Sequence, residues 1–432
     1  MDAVIIAGGK GTRLGLKKIP KPMVDFDGKP LLEYQINQLK RYNFKNIYIL
    51  SGYLSSVIIN YFKDGSDFGV KLNHVVESKP LGTAGALKQI QEIISERFLV
   101  IYGDTFFDID IKKIINYDHK INAENGTLFC HPNDHPYDSD IIISEGNFVK
   151  KFLPKPHSND KFFRNNVNAA FYILSKNIFK YIDCSKNLDL GRDIFPNTPD
   201  FSFASYKSSE YIKDIGTKKR LSQVLSDYKN GKTKLRNLEI KQRAIFLDRD
   251  GVLNYEKEPF VSYANFIIYN DVIDFFKLLK PTIFLSIIVT NQPSIAKGFI
   301  SFNELENIHS KLDYQLSKNN LFIDDIFFCP HHPEKGFEGE LKELKIDCNC
   351  RKPNSGMIEK AVKHYNIDVE GSWLIGDRYT DIKAAQNVNV KTILIERGHN
   401  GNDKNKFINT EPDFKVQNLL EAFKIIKKYD NI

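Results

Sequence analysis

The sequence predicts an α/β protein built from two three-layer domains, and three observations predict it. Short apolar runs alternate with amphipathic stretches along most of the chain, the pattern of βαβ units. Each half opens with a buried strand that runs directly into a glycine-bearing loop: Ala3–Ala7 before Gly8-Gly9, and Ala244–Leu247 before Asp248-Arg249-Asp250-Gly251. A chain of 432 residues also holds two or three domains of about 100–200 residues each. In chain order, strands are expected at Ala3–Ala7, Asn46–Leu50, Lys71–Val75, Phe98–Tyr102, Ala244–Leu247, Thr282–Val289, Trp373–Ile375 and Thr392–Ile395. Helices are expected at Leu31–Tyr42, Ala84–Ile94, Glu304–Asn319 and Ile358–Tyr365. Such alternation implies parallel sheets covered on both faces. No fixed-period repeat and no low-complexity tract interrupts it.

The division falls in Tyr228–Arg243, YKNGKTKLRNLEIKQR, which is basic and poor in large apolar residues. We take 1–230 as the first domain, 231–242 as a basic linker and 243–432 as the second domain. Composition narrows the class. Hydrophobic residues at 42% and charged residues at 27% exclude wholesale disorder. The longest apolar run, Ile283 to Val289, is interrupted by Ser286 and is far short of the roughly 18–20 residues of a membrane span. Met1-Asp2 leads straight into a strand without a basic leader, so no secretory signal is expected and a cytoplasmic location is. The balance of 61 basic against 54 acidic residues, +7, suits polyanions, but small phosphorylated substrates need only a few local cations. The linker lacks the interleaved aromatics of a nucleic-acid platform. Small-molecule partners are therefore expected, with neither nucleic acid nor membrane, and association of like chains is left open. Five cysteines do not make a disulfide scaffold, and three of them crowd into Cys329–Cys350, which points to metal. Cys130 and Cys184 have no ligand-like spacing and are expected as core thiols.

In the first domain Ala7-Gly8-Gly9-Lys10-Gly11-Thr12-Arg13-Leu14 follows the opening strand. Its glycines let backbone amides approach a phosphate, and Lys10 and Arg13 add charge. The run fits neither GxxxxGK[ST] nor GxGxxG. Further on stand Lys21-Pro22-Met23, Leu81-Gly82-Thr83-Ala84-Gly85-Ala86, Gly103-Asp104 at a strand end, and Asp214-Ile215-Gly216-Thr217. Singly these are ordinary turns and caps. In this order they resemble the sugar-1-phosphate nucleotidyltransferase family from Met1 to about Asp227. The resemblance implies that Gly8, Gly9, Gly11, Thr12 and Arg13 hold the base and phosphates, with Arg13 and Lys21 catalytic and Lys21 on the α-phosphate. It implies that Gly82 and Thr83 line the nucleoside pocket, Asp104 and Asp214 hold Mg²⁺, Asn168 contacts the sugar and Lys155 its phosphate. Two departures lie on the sugar side: Phe152-Leu153-Pro154-Lys155-Pro156 lacks the family's glutamate, and Asn168-Ala169-Ala170 stands where Asn-Ala-Gly is common.

In the second domain, Asp248 and Asp250 stand two residues apart past a strand, so both can address one phosphate. Asp248 would be the nucleophile that forms an aspartyl-phosphate, and Asp250 the general acid and then base. Thr290 and Asn291, Arg351 and Lys352, and Gly376-Asp377-Arg378-Tyr379-Thr380-Asp381 follow at the ends of later elements, where doubly wound folds bind ligands. The set resembles the haloacid dehalogenase (HAD) superfamily from about Arg243 to Lys428. The resemblance implies Mg²⁺ on Asp248, the Asp250 carbonyl and Asp377, with Thr290, Asn291, Arg351, Lys352 and Arg378 binding substrate. Arg378 replaces a more usual lysine and keeps the charge. Cys329, His331, Cys348 and Cys350 have the spacing of a structural Zn²⁺ site within a loop from 329 to 350. His331 is favoured over His332, which is left open as an alternative.

The zinc loop narrows the second resemblance to D,D-heptose 1,7-bisphosphate phosphatases and histidinol-phosphate phosphatases, and Cys-Pro-His-His-Pro-Glu is nearer the former. The two resemblances together imply two Rossmann-like domains, the first GT-A-like and the second HAD-like. They also imply consecutive reactions: removal of a 7-phosphate, then transfer of GMP from GTP to the heptose 1-phosphate. The product would be GDP-D-glycero-α-D-manno-heptose, for surface glycans. A rival reading pairs a mannose 1-phosphate or other hexose 1-phosphate nucleotidyltransferase with a histidinol-phosphate-type phosphatase. A second rival makes one half a non-catalytic binding module.

Overall fold

The computed structural model describes residues 1–9, 11, 14, 15, 18–158, 161–183, 186–257 and 260–430. Lys10, Thr12, Arg13 and Cys184 lie outside the described residues. The chain forms two compact units. One comprises Met1–His131, Pro136–Ser158 and Asn166–Asn237, and the other Pro132–His135, Asn159–Asn165 and Leu238–Ile432. The stretch read as a linker is partly structured. Lys232–Leu235 is a helical turn of the first unit, and the second unit resumes at Leu238.

The first unit carries a nine-stranded sheet in the order 71–76, 46–51, 2–6, 97–102, 167–175, 126–131, 203–207, 148–153, 141–145. Its first four strands are parallel. Val167–Ser175 then pairs antiparallel with both neighbours. This corrects the expectation of a purely parallel sheet. Strands 126–131 through 203–207 alternate less regularly with helices and were not separable by their apolar runs. The Tyr211–Asp214 strand pairs antiparallel with Thr105–Asp108, so that Asp214 faces Thr105 beside Asp104. Ile5, Ile47, Ile49, Leu99 and Ile101 are fully buried on one face of the sheet, and Val4, Leu50, Val100 and Phe98 on the other. Burial of each such side chain contributes about 1.5–3 kcal/mol, and burial on both faces explains why these strands read as unbroken apolar runs.

The second unit holds a six-stranded, wholly parallel sheet in the order 325–329, 285–291, 244–247, 373–376, 391–395, 414–416. The expected strand 282–289 begins instead at Leu285 and runs to Asn291, because Thr282 closes the preceding helix by bonding Leu279 O. Trp373 is fully buried and donates its indole N–H to Asp430 at 2.8 Å. The carboxyl ends of strands 244–247, 285–291 and 373–376 point the chain at Asp248, Gln292 and Asp377.

Candidate active sites and metal centre

In the first unit the glycine-rich segment leaves the Asp2–Ile6 strand at the carboxyl edge of the sheet. Ala7 N–H donates to Leu50 O and Gly103 N–H to Ile6 O, which fixes the segment against Gly103-Asp104. A cleft of about 240 Å³ opens there, lined by Gly9, Gly11, Lys21, Thr83, Asp104 and Gly216 among others. Five of these were singled out in the sequence. Lys21 donates to Asp104, and its charge also lowers the pKa of Asp214. Burial raises the Asp214 pKa, but the Arg220 guanidinium, bonded to both carboxylate oxygens at 2.9 Å, outweighs it and leaves the carboxyl below its ordinary value. Ile215 N–H donates to Asp104 O, tying the two aspartates together through the ribbon.

The sugar-side residues sit elsewhere in the same unit. Asn168 turns its amide to the Tyr172 hydroxyl at 2.9 Å. Ala170, where the family has glycine, adopts φ +55°, a left-handed backbone that a Cβ tolerates poorly, at a register shift between Asn168 and Tyr172. Lys155 is exposed and donates Nζ to Asp138 O at 3.1 Å. Thr83 donates to Asp189 at 2.9 Å. Gly8 and Gly82 flank the cleft rather than line it.

In the second unit Asp248, Asp377 and Asp381 are all buried, with one oxygen from each within 4.8 Å of the others. Lys352, itself 3% exposed, lies 3.0 Å from Asp248 and 2.6 Å from Asp381. Burial pushes the Asp248 carboxyl up to about 6; Lys352 opposes this, and Asp381 and Asp250 reinforce it. Asp377 is pushed up by burial and by Asp248 and Asp381, and its Oδ1 is buried without a hydrogen-bond partner among the described residues. Three buried carboxylates against one ammonium leave an excess of negative charge and an orphaned oxygen, a hard-oxygen donor set that fits a divalent cation such as Mg²⁺. Asp381 was not among the expected ligands, although it closes the Gly376–Asp381 run; it stands in the first turn of the helix Tyr379–Gln386, just past Asp377 at the strand end. Gly251, at φ +81°, leaves no room for a Cβ, which would fall 2.0 Å from Asp377 Oδ2. The DRDG turn is thus packed directly on the acidic corner.

Asp250 is held by Arg249 Nη2 at 2.9 and 2.8 Å, Asn254 Nδ2 at 2.8 Å and Gln292 Nε2 at 2.8 Å. Burial raises its pKa, but Arg249 and the two amides outweigh that and hold it below the ordinary value. Arg249 is fully buried, and its Nη1 meets His309 Nε2 at 3.1 Å. Sequence reasoning missed Arg249, because an arginine between two aspartates reads as a solvated charge. Thr290 accepts from Gln292 Nε2 at 2.9 Å. Asn291 exchanges hydrogen bonds with the Lys352 backbone, and Lys352 Nζ donates to Val289 O at 2.8 Å. Arg378 pairs with Glu256, and Arg351 donates to His331 O at 3.3 Å.

Cys329, His331, Cys348 and Cys350 converge. His331 Nδ1 lies 3.2 Å from Cys350 Sγ, and the three sulfurs stand 3.1 to 3.5 Å apart. Burial and neighbouring thiols push Cys329 up, and three sulfurs and an imidazole this close form a soft donor set with room for one cation. His332 turns to Glu334 O instead. The donor set fits Zn²⁺. Cys130 is fully buried, as expected of a core thiol.

Fold and sites thus define a chain with two phosphoryl-group centres, each at the carboxyl edge of its own sheet. Residues 2–231, more than half the chain, match the family model described as nucleotidyl transferase, and residues 349–422 match a HAD-hydrolase-like model. The D-glycero-beta-D-manno-heptose-1,7-bisphosphate 7-phosphatase of Haemophilus influenzae is 35% identical over 187 residues, which is 43% of this chain and 97% of that protein. The Escherichia coli K12 protein of the same description is 34% identical over 185 residues, 43% of this chain and 94% of its own length. Among solved structures, HddC from Yersinia pseudotuberculosis is 28% identical, covers 52% of this chain and 99% of its own, and superposes with a TM-score of 0.46. The chain belongs to the nucleotidyl transferase family over its N-terminal half and, over its C-terminal part, to the HAD-like hydrolase family that holds these phosphatases. It is a bifunctional enzyme, a nucleotidyltransferase and a phosphatase in one chain. Among the described residues no helix is long and apolar enough to cross a membrane.

Proposed function

We propose that the C-terminal domain removes the 7-phosphate of D-glycero-D-manno-heptose 1,7-bisphosphate. The N-terminal domain then transfers GMP from GTP to the resulting heptose 1-phosphate, giving GDP-D-glycero-α-D-manno-heptose and pyrophosphate. One observation carries this reading: a nucleotidyltransferase, which consumes a sugar 1-phosphate, is fused to a phosphatase whose relatives are named for a 1,7-bisphosphate and its 7-phosphate. The domains are 1–230 and 243–432, joined by the basic segment 231–242, and the protein acts in the cytoplasm, where GTP is available, on small molecules alone.

In the phosphatase, an Asp248 oxygen attacks phosphorus and the bond to the sugar oxygen breaks. Asp250 gives that oxygen a proton. Water then attacks the aspartyl-phosphate, Asp250 takes its proton back, and inorganic phosphate leaves. The cage around Asp250 suits the base half of this cycle. The acid half needs a protonated carboxyl, which the negative charge of an incoming phosphate favours. Lys352 neutralises phosphate oxygens beside Asp248, Asn291 fixes Lys352, and Thr290, Arg351 and Arg378 supply further contacts. Asp248, the Asp250 carbonyl, Asp377 and Asp381 would hold Mg²⁺, which would neutralise charge on the transferring group. In the transferase, a sugar-phosphate oxygen attacks the α-phosphorus and pyrophosphate leaves. Lys21 and Arg13 neutralise the charge that develops, with Gly8, Gly9, Gly11 and Thr12 cradling the nucleotide. Gly82 and Thr83 line the nucleoside, and Asn168 and Lys155 hold the sugar phosphate. Asp104 and Asp214 would hold Mg²⁺; the cations already paired with them are the charges a metal replaces.

Zn²⁺ on Cys329, His331, Cys348 and Cys350 is structural. Strong chelation is expected to destabilise the C-terminal unit by several kcal/mol and up to about 10, on the scale of structural zinc sites. In calorimetry the C-terminal transition should fall while the N-terminal one holds; an unchanged C-terminal transition would remove zinc from the account.

The relatives' names specify the β anomer, which favours a second reading in which a β 1-phosphate is passed on. Full-length protein incubated with each anomer of the bisphosphate, Mg²⁺ and each NTP, with products read by mass spectrometry, separates the two. GDP-heptose from the α anomer alone supports the proposal. NDP-heptose from the β anomer alone replaces it, and phosphate without any nucleotide sugar breaks the link between the two steps.

A further inference from the structure

The helix Phe302–Ser317 starts at Ser301, whose hydroxyl accepts from Glu304 N–H at 3.1 Å. It lays Leu305, Ile308, Leu312 and Leu316 into the core that also holds Leu247 and Leu253, so its place beside the opening strand of the second unit is firm. His309 on this helix is fully buried, with its ring centroid 6.0 Å from that of Phe328. Its Nε2 lies 3.1 Å from Arg249 Nη1. A guanidinium only donates, so Nε2 offers its lone pair and the ring is neutral, with its proton on Nδ1. The rest of Arg249 is engaged at the reacting corner. Nε and Nη2 donate to Asp250 at 2.8 to 3.2 Å, and Nη2 also donates to Gln292 Oε1 at 3.0 Å. His309 thus takes the arm of the guanidinium that Asp250 does not. A carboxylate in its place would compete with Asp250 for the cation, whereas a neutral imidazole satisfies Nη1 without adding charge. Nothing in the proposed cycle uses His309.

We infer that His309 is a positioning residue of the phosphatase: by accepting from Arg249 it fixes the guanidinium plane, and the fork on Asp250 then aims that carboxyl at the leaving sugar oxygen. The inference rests on the role of Asp250 as general acid and deepens it. As the Asp248 oxygen bonds to phosphorus, the bond to the sugar oxygen breaks and the Asp250 proton goes to that oxygen. The transfer needs the carboxyl within hydrogen-bond reach and in line. With an apolar side chain at 309 a buried cationic N–H loses its acceptor. The guanidinium then turns to recover one, and the fork turns with it. How much this matters depends on the leaving group. An alkoxide is too basic to leave without a proton, whereas p-nitrophenolate leaves without one.

The test measures kcat/KM, which reports the step that expels the leaving group, for the full-length protein with Mg²⁺. Substrates are the heptose bisphosphate and p-nitrophenyl phosphate; the proteins are the parent, His309→Leu, His309→Gln and Asp250→Asn. Leucine removes the acceptor, and glutamine carries an acceptor oxygen about as far from the backbone as Nε2. His309→Leu should lose about 10- to 100-fold on the bisphosphate and less than about threefold on p-nitrophenyl phosphate, within the range that acid–base groups supply. His309→Gln should recover most of that loss. An equal loss on both substrates, no loss on either, or a glutamine variant as impaired as the leucine variant overturns the inference. If Asp250→Asn shows no selective loss on the bisphosphate, the acid assignment fails and the inference falls with it. If Asp250→Asn is selective and His309→Leu is not, the inference fails alone. Should His309→Leu not fold, nitrogen NMR of the parent decides the geometry. A neutral ring with its proton on Nδ1 supports the inference, and a proton on Nε2 overturns it.

Discussion

Replacing Asp248 with asparagine abolishes phosphate release, by on the order of 10⁴-fold or more, the scale on which loss of a covalent nucleophile acts. Nucleotidyl transfer by the same molecules is unchanged. The amide keeps the shape of the side chain and can still accept from the Lys352 ammonium, which lies 3.0 Å from Asp248 Oδ1, but its neutral carbonyl oxygen is too weak a nucleophile to attack phosphorus. Unfolding is not the cause of the loss, and the charge arrangement says why. In the metal-free protein the Asp248 pKa is raised to about 6, so its ionised form destabilises the fold. That unfavourable contribution is about 3 kcal/mol, fully present above pH 6 and absent below the ordinary value near 3.8. Asparagine removes it. The metal-free variant should therefore melt no lower than the parent at neutral pH in scanning calorimetry. Phosphate release surviving in Asp248→Asn would take the nucleophile away from this residue; a collapsed melting transition would take away the electrostatic account.

Asp104→Ala has the opposite signature. Nucleotidyl transfer, followed as pyrophosphate release from GTP with heptose 1-phosphate supplied directly, falls about 10²- to 10³-fold, the usual cost of removing one preorganised electrostatic group. Phosphate release from the bisphosphate continues. Asp104 is the partner of Lys21 and stands beside Asp214 across the ribbon of 105–108 with 211–214. On the proposed mechanism its removal would delete a metal ligand and free Lys21, which it now holds, to drift from the α-phosphate position. The fold tolerates the change because the tie between this corner and Ile215 is made by the Asp104 backbone oxygen, and the side chain is partly exposed. Transfer at the parent rate in Asp104→Ala would move the metal site elsewhere in the cleft.

The residues that carry chemistry were legible because their types and spacings are chemically restrictive. Asp248 and Asp250 two apart after a buried strand and a glycine-rich segment after another are ordinary turns singly, but with the motifs that follow each in chain order they admit few other uses, and CxH with CxC admits few by itself. The strands at 2–6, 46–51, 97–102, 244–247 and 373–376 were legible because both of their faces are covered, so hydrophobicity is continuous. The mixed half of the first sheet was not. Its antiparallel strands pair residues tens of positions apart, as Val167 does with His131 and Ile141, and nothing local encodes such a partner.

By itself the sequence determined the two α/β halves, the order of the two families along the chain, and most of the acids, cations and thiols that the fold gathers, since these depend on residue identity and short spacing. Only the tertiary structure decided which groups meet. It turned His331 rather than His332 onto the thiols, added Asp381 to Asp248 and Asp377, and buried Arg249 against Asp250 and His309. Burial and the approach of distant strands are what make these groups interact. A charge that is screened in water becomes decisive once its neighbours displace the water, and that displacement is a property of the packed fold.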